Sequence, residues 1–266
     1  MRFRPCIDIH NGKVKQIVGG SLKDTGDYAV DNFVSEKDAA WFAQFYAADQ
    51  LTGGHIIMLN PVSSPYYEAT RAQAREALSV CPGSLQIGGG ITAENAEDYI
   101  DAGASHVIVT SYVFKDGQIH WENLRRIKEQ VGREHLVLDL SCRSRDGVYY
   151  IVTDRWQKFT NVALTPALFQ ELSDSCSEFL VHAVDVEGCA RGIEGGVASM
   201  LGSWGELPVT YAGGVSSFED LQLLQKLGRG KVDVTIGSAL DLFGGNLSYR
   251  KVLEFLNGNY SLGCSE

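Results

Sequence analysis

From end to end, short runs of β-branched and apolar residues alternate with amphipathic helical stretches, a pattern that restricts the fold to a parallel sheet with crossover helices. Strand-like runs fall at 3–9, 55–59, 84–87, 106–109, 135–140, 178–184, 208–211 and 232–236. Helical periodicity covers roughly 36–50, 68–80, 93–102, 119–131, 165–175, 194–204, 217–228 and 248–257. Eight of each in 266 residues favour closure into a single (β/α)8 barrel over an open, doubly wound sheet. No linker-like or low-complexity stretch interrupts the order, so one α/β domain over 1–266 is expected. Thr92 with Asn95, and Ser216-Ser217-Phe218-Glu219, offer hydroxyl caps ahead of acidic first turns. The stretch 141–160 breaks the helical pattern: Ser-Arg-Asp-Gly followed by Val-Tyr-Tyr-Ile-Val predicts a turn and a short extra hairpin after the fifth strand.

The two halves of the chain resemble each other. Cys6-Ile7-Asp8-Ile9 matches Val137-Leu138-Asp139-Leu140, each an apolar strand closing on an aspartate. Gln86-Ile87-Gly88-Gly89-Gly90-Ile91 matches Tyr211-Ala212-Gly213-Gly214-Val215, and Val107-Ile108-Val109-Thr110-Ser111 matches Val234-Thr235-Ile236-Gly237-Ser238. The offsets are 131, 124 and 127 positions, so order and spacing both repeat. Three matches in register point to two half-barrels, about 1–132 and 133–258, of four βα units each.

Barrel active sites lie at the C-terminal ends of the strands, where all three repeated elements fall. Gly89-Gly90 and Gly213-Gly214 let backbone N–H groups approach an anion with no Cβ in the way. Thr110-Ser111 and Gly237-Ser238 add hydroxyl and N–H donors beside them. One Gly-Gly alone reads equally as a tight turn; doubled and paired with a hydroxyl turn, it predicts two anion sites. A substrate with a phosphate at each end would span them. Asp8 and Asp139 end the first and fifth strands and face each other across the axis. A lone aspartate there reads as a loop cap, whereas a symmetric pair suits one general acid and one general base.

A net charge of -10 with no basic stripe argues against nucleic acid. It also requires phosphates to be held by local N–H donors. No apolar run reaches the roughly 18–20 residues that span a bilayer. Met1-Arg2-Phe3-Arg4 leads straight into a strand without the apolar core of a secretion signal. The six cysteines show neither CxxC nor zinc-like spacing. The expectation is a cytoplasmic monomer with no disulfide framework, metal or cofactor.

These residues resemble the histidine-biosynthesis barrels. The resemblance rests on Ile7-Asp8-Ile9-His10-Asn11-Gly12-Lys13-Val14, Gly88-Gly89-Gly90-Ile91, Leu138-Asp139, Ala212-Gly213-Gly214-Val215 and Gly237-Ser238. Asp139-Leu140-Ser141-Cys142-Arg143 and Val181-His182-Ala183-Val184-Asp185-Val186-Glu187-Gly188 are similar to the isomerase branch in its eukaryotic form. The resemblance covers essentially the whole chain. It implies an Amadori rearrangement, aminoaldose to aminoketose, in a bisphosphorylated imidazole carboxamide, without cofactor. Carried over by position, Asp8 is the base and Asp139 the acid. The sister cyclase shares both aspartates and both phosphate sites but has a lysine eight positions after its first aspartate, where this chain has Gln16. A barrel that only binds phosphorylated metabolites is the third reading. The chain departs from the common isomerase pattern at Met58-Leu59-Asn60-Pro61, where the family is Asp-rich. It departs again at His182, where a threonine is usual, and at Glu187-Gly188, in place of Asp-Gly.

Further candidates carry alternatives. His182 either bonds substrate, orients an aspartate or simply packs. Arg143 suits a phosphate or the carboxamide, or is a solvated loop residue. Trp156 stacks on the imidazole as a lid, or packs the hairpin. Cys142 reads as structural, and His55 as a packing residue on the side away from the chemistry.

Overall fold

The computed structural model describes residues 1–18, 21–22, 28–189 and 191–258 and contains all eight expected barrel strands. They are β1 (Cys6–His10), β2 (Gly54–Met58), β3 (Leu85–Gly88), β4 (His106–Val109), β5 (Leu136–Asp139), β6 (Glu178–His182), β7 (Val209–Ala212) and β8 (Val232–Val234). Helices α1 (Ala39–Ala48), α2 (Tyr67–Val80), α3 (Ala96–Asp101) and α4 (Trp121–Val131) alternate with the first four strands. Helices α5 (Pro166–Leu172), α6 (Gly195–Trp204), α7 (Phe218–Leu227) and α8 (Tyr249–Leu256) follow the last four. Each strand runs parallel to its neighbours in the order β1 to β8. The ring is closed by Arg4 N–H donating to the Val234 carbonyl at 2.8 Å and Val234 N–H to the Arg2 carbonyl at 2.9 Å. The chain is a (β/α)8 barrel.

Alternation along the strands sorts side chains between two environments. Outward residues such as Ile7, Ile56, Ile87, Val107, Leu138, Val181, Tyr211 and Val234 are fully buried against the helices. Inward residues form layers. At the N-terminal end, buried Arg4 pairs with Asp233 at 2.9 Å and Glu178 at 3.3 Å, and Thr210 donates to Glu178. Above them Ile57, Ile108, Val137 and Leu180 make an apolar plug. Polar residues return above the plug, at the C-terminal mouth. Their position over a dry layer is what gives them perturbed proton affinities.

The mouth carries structure beyond the eightfold plan. Lys13–Ile17 pairs antiparallel with β1 and with Asp31–Val34, a ribbon that the strand count does not anticipate. Phe114–Lys115 and Gln118–Ile119 form a small hairpin before α4. The extra hairpin expected over 141–160 is larger, a three-stranded sheet of Cys142–Arg145, Val148–Thr153 and Lys158–Ala163. Ribbon and sheet follow β1 and β5, equivalent positions of the two halves. Ser217 and Asp220 form a full capping box on α7. Thr92 does not cap α3, which starts at Ala96: the Asn95 side chain accepts from Thr92 N–H and donates to the Gly90 carbonyl, holding a non-helical turn first.

Candidate active site

Asp8 points from β1 into the mouth, where Gln16 Nε2 donates to its Oδ2 at 3.2 Å. Gln16 reaches it because the Asn11-Gly12 turn, with φ of 53° and 71°, folds the next strand back along β1. Burial and the nearby Glu187 carboxylate push the Asp8 carboxyl up from 3.8 to about 7, against the pull of His182 and Gln16. Such a group is half-protonated at neutral pH, the range suited to exchanging a proton with carbon.

Asp139, at the matching end of β5, has the opposite surroundings. Its Oδ1 accepts from Ser141 N–H at 2.8 Å and Ser141 Oγ at 2.7 Å, and His182 Nδ1 lies 3.6 Å away. Burial by itself would raise its pKa, but His182, Ser141 and Thr110 outweigh burial and hold it below the usual carboxylate value. His182 closes β6, and burial, which would lower its pKa, is outweighed by Asp139, Glu187 and Asp8, leaving it raised. Glu187 is pushed up by burial, with His182 opposing.

His55 is not on the far side of the barrel. Its ring lies 6.1 Å from that of His182, beneath it, because β2 turns this side chain inward on the same layer as Cys6. Burial and repulsion from His182 push it down to about 3, so it packs as a neutral ring.

The mouth holds two adjoining cavities of about 220 and 250 Å³, both lined by Asp8, Gln16, His182 and Glu187. One extends to Gly213, Gly214, Gly237 and Ser238, the other to Gly89, Gly90, Thr110 and Ser111, with Asp139 at its base. Gly89 (φ 99°) and Gly213 (φ 119°) repeat one geometry: a Cβ would strike the Met58 carbonyl in one half and the Ala183 carbonyl in the other. Both turns therefore require glycine. The N–H groups of Gly90, Ser111, Gly214 and Ser238 donate to no acceptor among the described residues. Among the described residues no lysine or arginine lines the Gly213–Ser238 cavity, which leaves the free amides as candidate donors to an anion.

The remaining candidates separate. Trp156 lines the Gly89–Ser111 cavity, 5.6 Å from the His182 ring, and its indole N–H donates to Ser141 Oγ at 3.1 Å. It sits in a left-handed turn of Asp154, Arg155 and Trp156 (φ 52°, 55° and 68°), tied down by Asp154 N–H donating to Ser111 Oγ. Arg143 lines neither cavity: its Nε donates to Asp185 Oδ1 at 2.8 Å, joining the extra sheet to the segment after β6. Cys142 is buried, and burial raises its thiol. Asn60, at the end of β2, bonds Asn11 and Thr70 and braces the β1 turn.

The raised Asp8 pKa has a consequence for stability. A carboxyl that binds its proton more tightly when folded stabilises the fold below its unfolded pKa. That contribution is lost as pH rises from 3.8 toward about 7. Asp8→Asn should therefore melt higher than the parent, by a margin that grows across this window and then levels, as thermal scans from pH 4 to 8 would show.

The model of the family described as "Histidine biosynthesis protein" matches residues 2–247. A chloroplastic 1-(5-phosphoribosyl)-5-((5-phosphoribosylamino)methylideneamino) imidazole-4-carboxamide isomerase of Medicago truncatula is 52% identical over 97% of this chain and 82% of its own length. Isomerases of the same name from Yarrowia lipolytica and Saccharomyces cerevisiae are 45% and 42% identical, each over 92% of this chain and 93% and 94% of their own lengths.

Proposed function

The chain belongs to the histidine biosynthesis protein family, and on that premise we propose that it is the isomerase converting the bisphosphorylated aminoaldose to its aminoketose. The relatives carry that name, and the sister cyclase is not favoured. The observation that supports it most is the pairing of two adjoining cavities with two carboxyls between them whose proton affinities are shifted in opposite directions. A phosphate in each cavity would suspend the reacting ribose over Asp8 and Asp139. Asp8 is the base that takes the C2 proton. The acid that opens the ring comes from the Asp139 side. Trp156 flanks the imidazole, and the open amides with Thr110, Ser111 and Ser238 hold the phosphates.

The reaction needs no nucleic acid, membrane or second protein, and all of these residues come from one chain. No described helix is long and apolar enough to cross a membrane. The five described cysteines are unpaired, which fits a reducing compartment such as the cytosol; Cys264 lies outside the described residues.

The test follows absorbance of purified protein with the aminoaldose bisphosphate, with and without ammonia. Conversion to the ketose without ammonia supports the isomerase; turnover only with ammonia would make the chain a cyclase. Ser238→Ala should raise KM by about tenfold and leave kcat within about twofold, because a phosphate contact is made equally before and during the chemistry.

A further inference from the structure

The Asp139 carboxylate is surrounded by donors. Ser141 supplies an N–H and an O–H to a single oxygen, and His182 Nδ1 faces the same atom. A carboxyl so placed is an acceptor and has no resting proton to give. The sugar ring must nonetheless receive one before it opens. Four titratable groups surround His182: Asp139 from β5, Asp8 from β1, Glu187 from the segment after β6 and His55 from β2. Three are acids and the fourth is a neutral ring. His182 lines both cavities, between the two anion sites, and its Nδ1 lies 3.6 Å from Asp139 Oδ1.

We propose that His182 is the catalytic acid, delivering its proton to the ribose ring oxygen, with Asp139 acting through it as the positioning anion. This rests on the isomerase reading above. The imidazolium proton passes to the ring oxygen, the C1–O bond breaks, and the nitrogen lone pair forms the C=N bond of the Schiff base. Asp8 then removes the C2 proton to give the enaminol. Asp8 returns that proton to C1 while the C2 hydroxyl gives its own to the neutral imidazole, so both groups end as they began. The upward shift of His182 supports this order, since burial opposes its charge and the surrounding acids outweigh burial.

His182→Gln should lower kcat by roughly 10²- to 10³-fold, with KM changed less than about threefold. His182→Ala should regain part of that loss with added imidazole, the rescue following the imidazolium fraction; a packing residue would show no such rescue. A kcat within about threefold of wild type in His182→Gln overturns the proposal, as does a folded His182→Ala that imidazole leaves inactive. Should both variants fail to fold, histidine NMR on the wild type decides: a His182 ring already neutral at the pH of full activity also overturns it. Wild-type protein assayed alongside separates the two claims. If it does not turn over the aminoaldose, the isomerase reading fails and takes this assignment with it; if it does, only the role of His182 is in question.

Discussion

Asp8→Asn is expected to lower kcat by about 10³-fold while leaving KM for the aminoaldose within about threefold. Asparagine matches the carboxyl in shape and can still accept from Gln16 Nε2, so the cavity wall and both glycine turns persist. What disappears is the proposed base, a carboxyl whose proton affinity burial has raised to about 7. For the parent, kcat/KM should fall below about pH 7 as Asp8 becomes protonated in the free enzyme. Steady-state kinetics on the variant decide the matter: activity within tenfold of wild type, or a loss confined to KM, would remove Asp8 from the base role. The same variant melts higher than the parent, so a fall in activity could not be put down to unfolding.

Asp139→Asn should match or exceed that loss in kcat, and here stability falls as well. Asparagine places an NH2 or a neutral oxygen among donors that now satisfy a carboxylate, and leaves buried His182 without its anion. Removing one partner of a buried ion pair, here 3.6 Å apart, typically costs about 3–5 kcal/mol, and several degrees of Tm should go with it. Its pH dependence follows from the two shifts. The lowered Asp139 contributes stability above its unfolded value of 3.8, and the raised His182 contributes fully below 6.5 and less as pH rises through its folded value. The deficit is therefore widest between these limits and narrows on either side. Equal melting of variant and parent across this window would mean that the pair is not formed. Two aspartates at equivalent strand ends thus give opposite changes in Tm for the same substitution.

The strand count, the Gly-Gly turns and the two aspartates were legible because each is a local pattern: an apolar run, a backbone without Cβ, a charge at the end of a strand. The ribbon after β1 carries an Asn11-Gly12 hairpin signal that the eightfold alternation does not include. Gln16 stood out only as a missing lysine. Folding that ribbon back turns its amide onto Asp8, a contact that its spacing does not reveal. His55 was misplaced because an inward residue low on its strand still lies close beneath a site that the strands approach at a tilt. For Arg143, the residue type suggested a phosphate, the carboxamide or a solvated loop position; the fold brings Asp185 to its Nε, a contact from a distant segment that the spacing does not reveal.

By itself, the sequence determined the barrel, the two glycine turns and the two aspartates at the strand ends, because hydrophobic period and glycine geometry act over a few residues. It presents Asp8 and Asp139 as equals. Only the tertiary structure distinguishes them, by bringing Gln16 and Glu187 to one and Ser141 and His182 to the other. Proton affinity in a dry cavity is set by the charges and donors within a few ångströms, and those come from strands far apart in the chain.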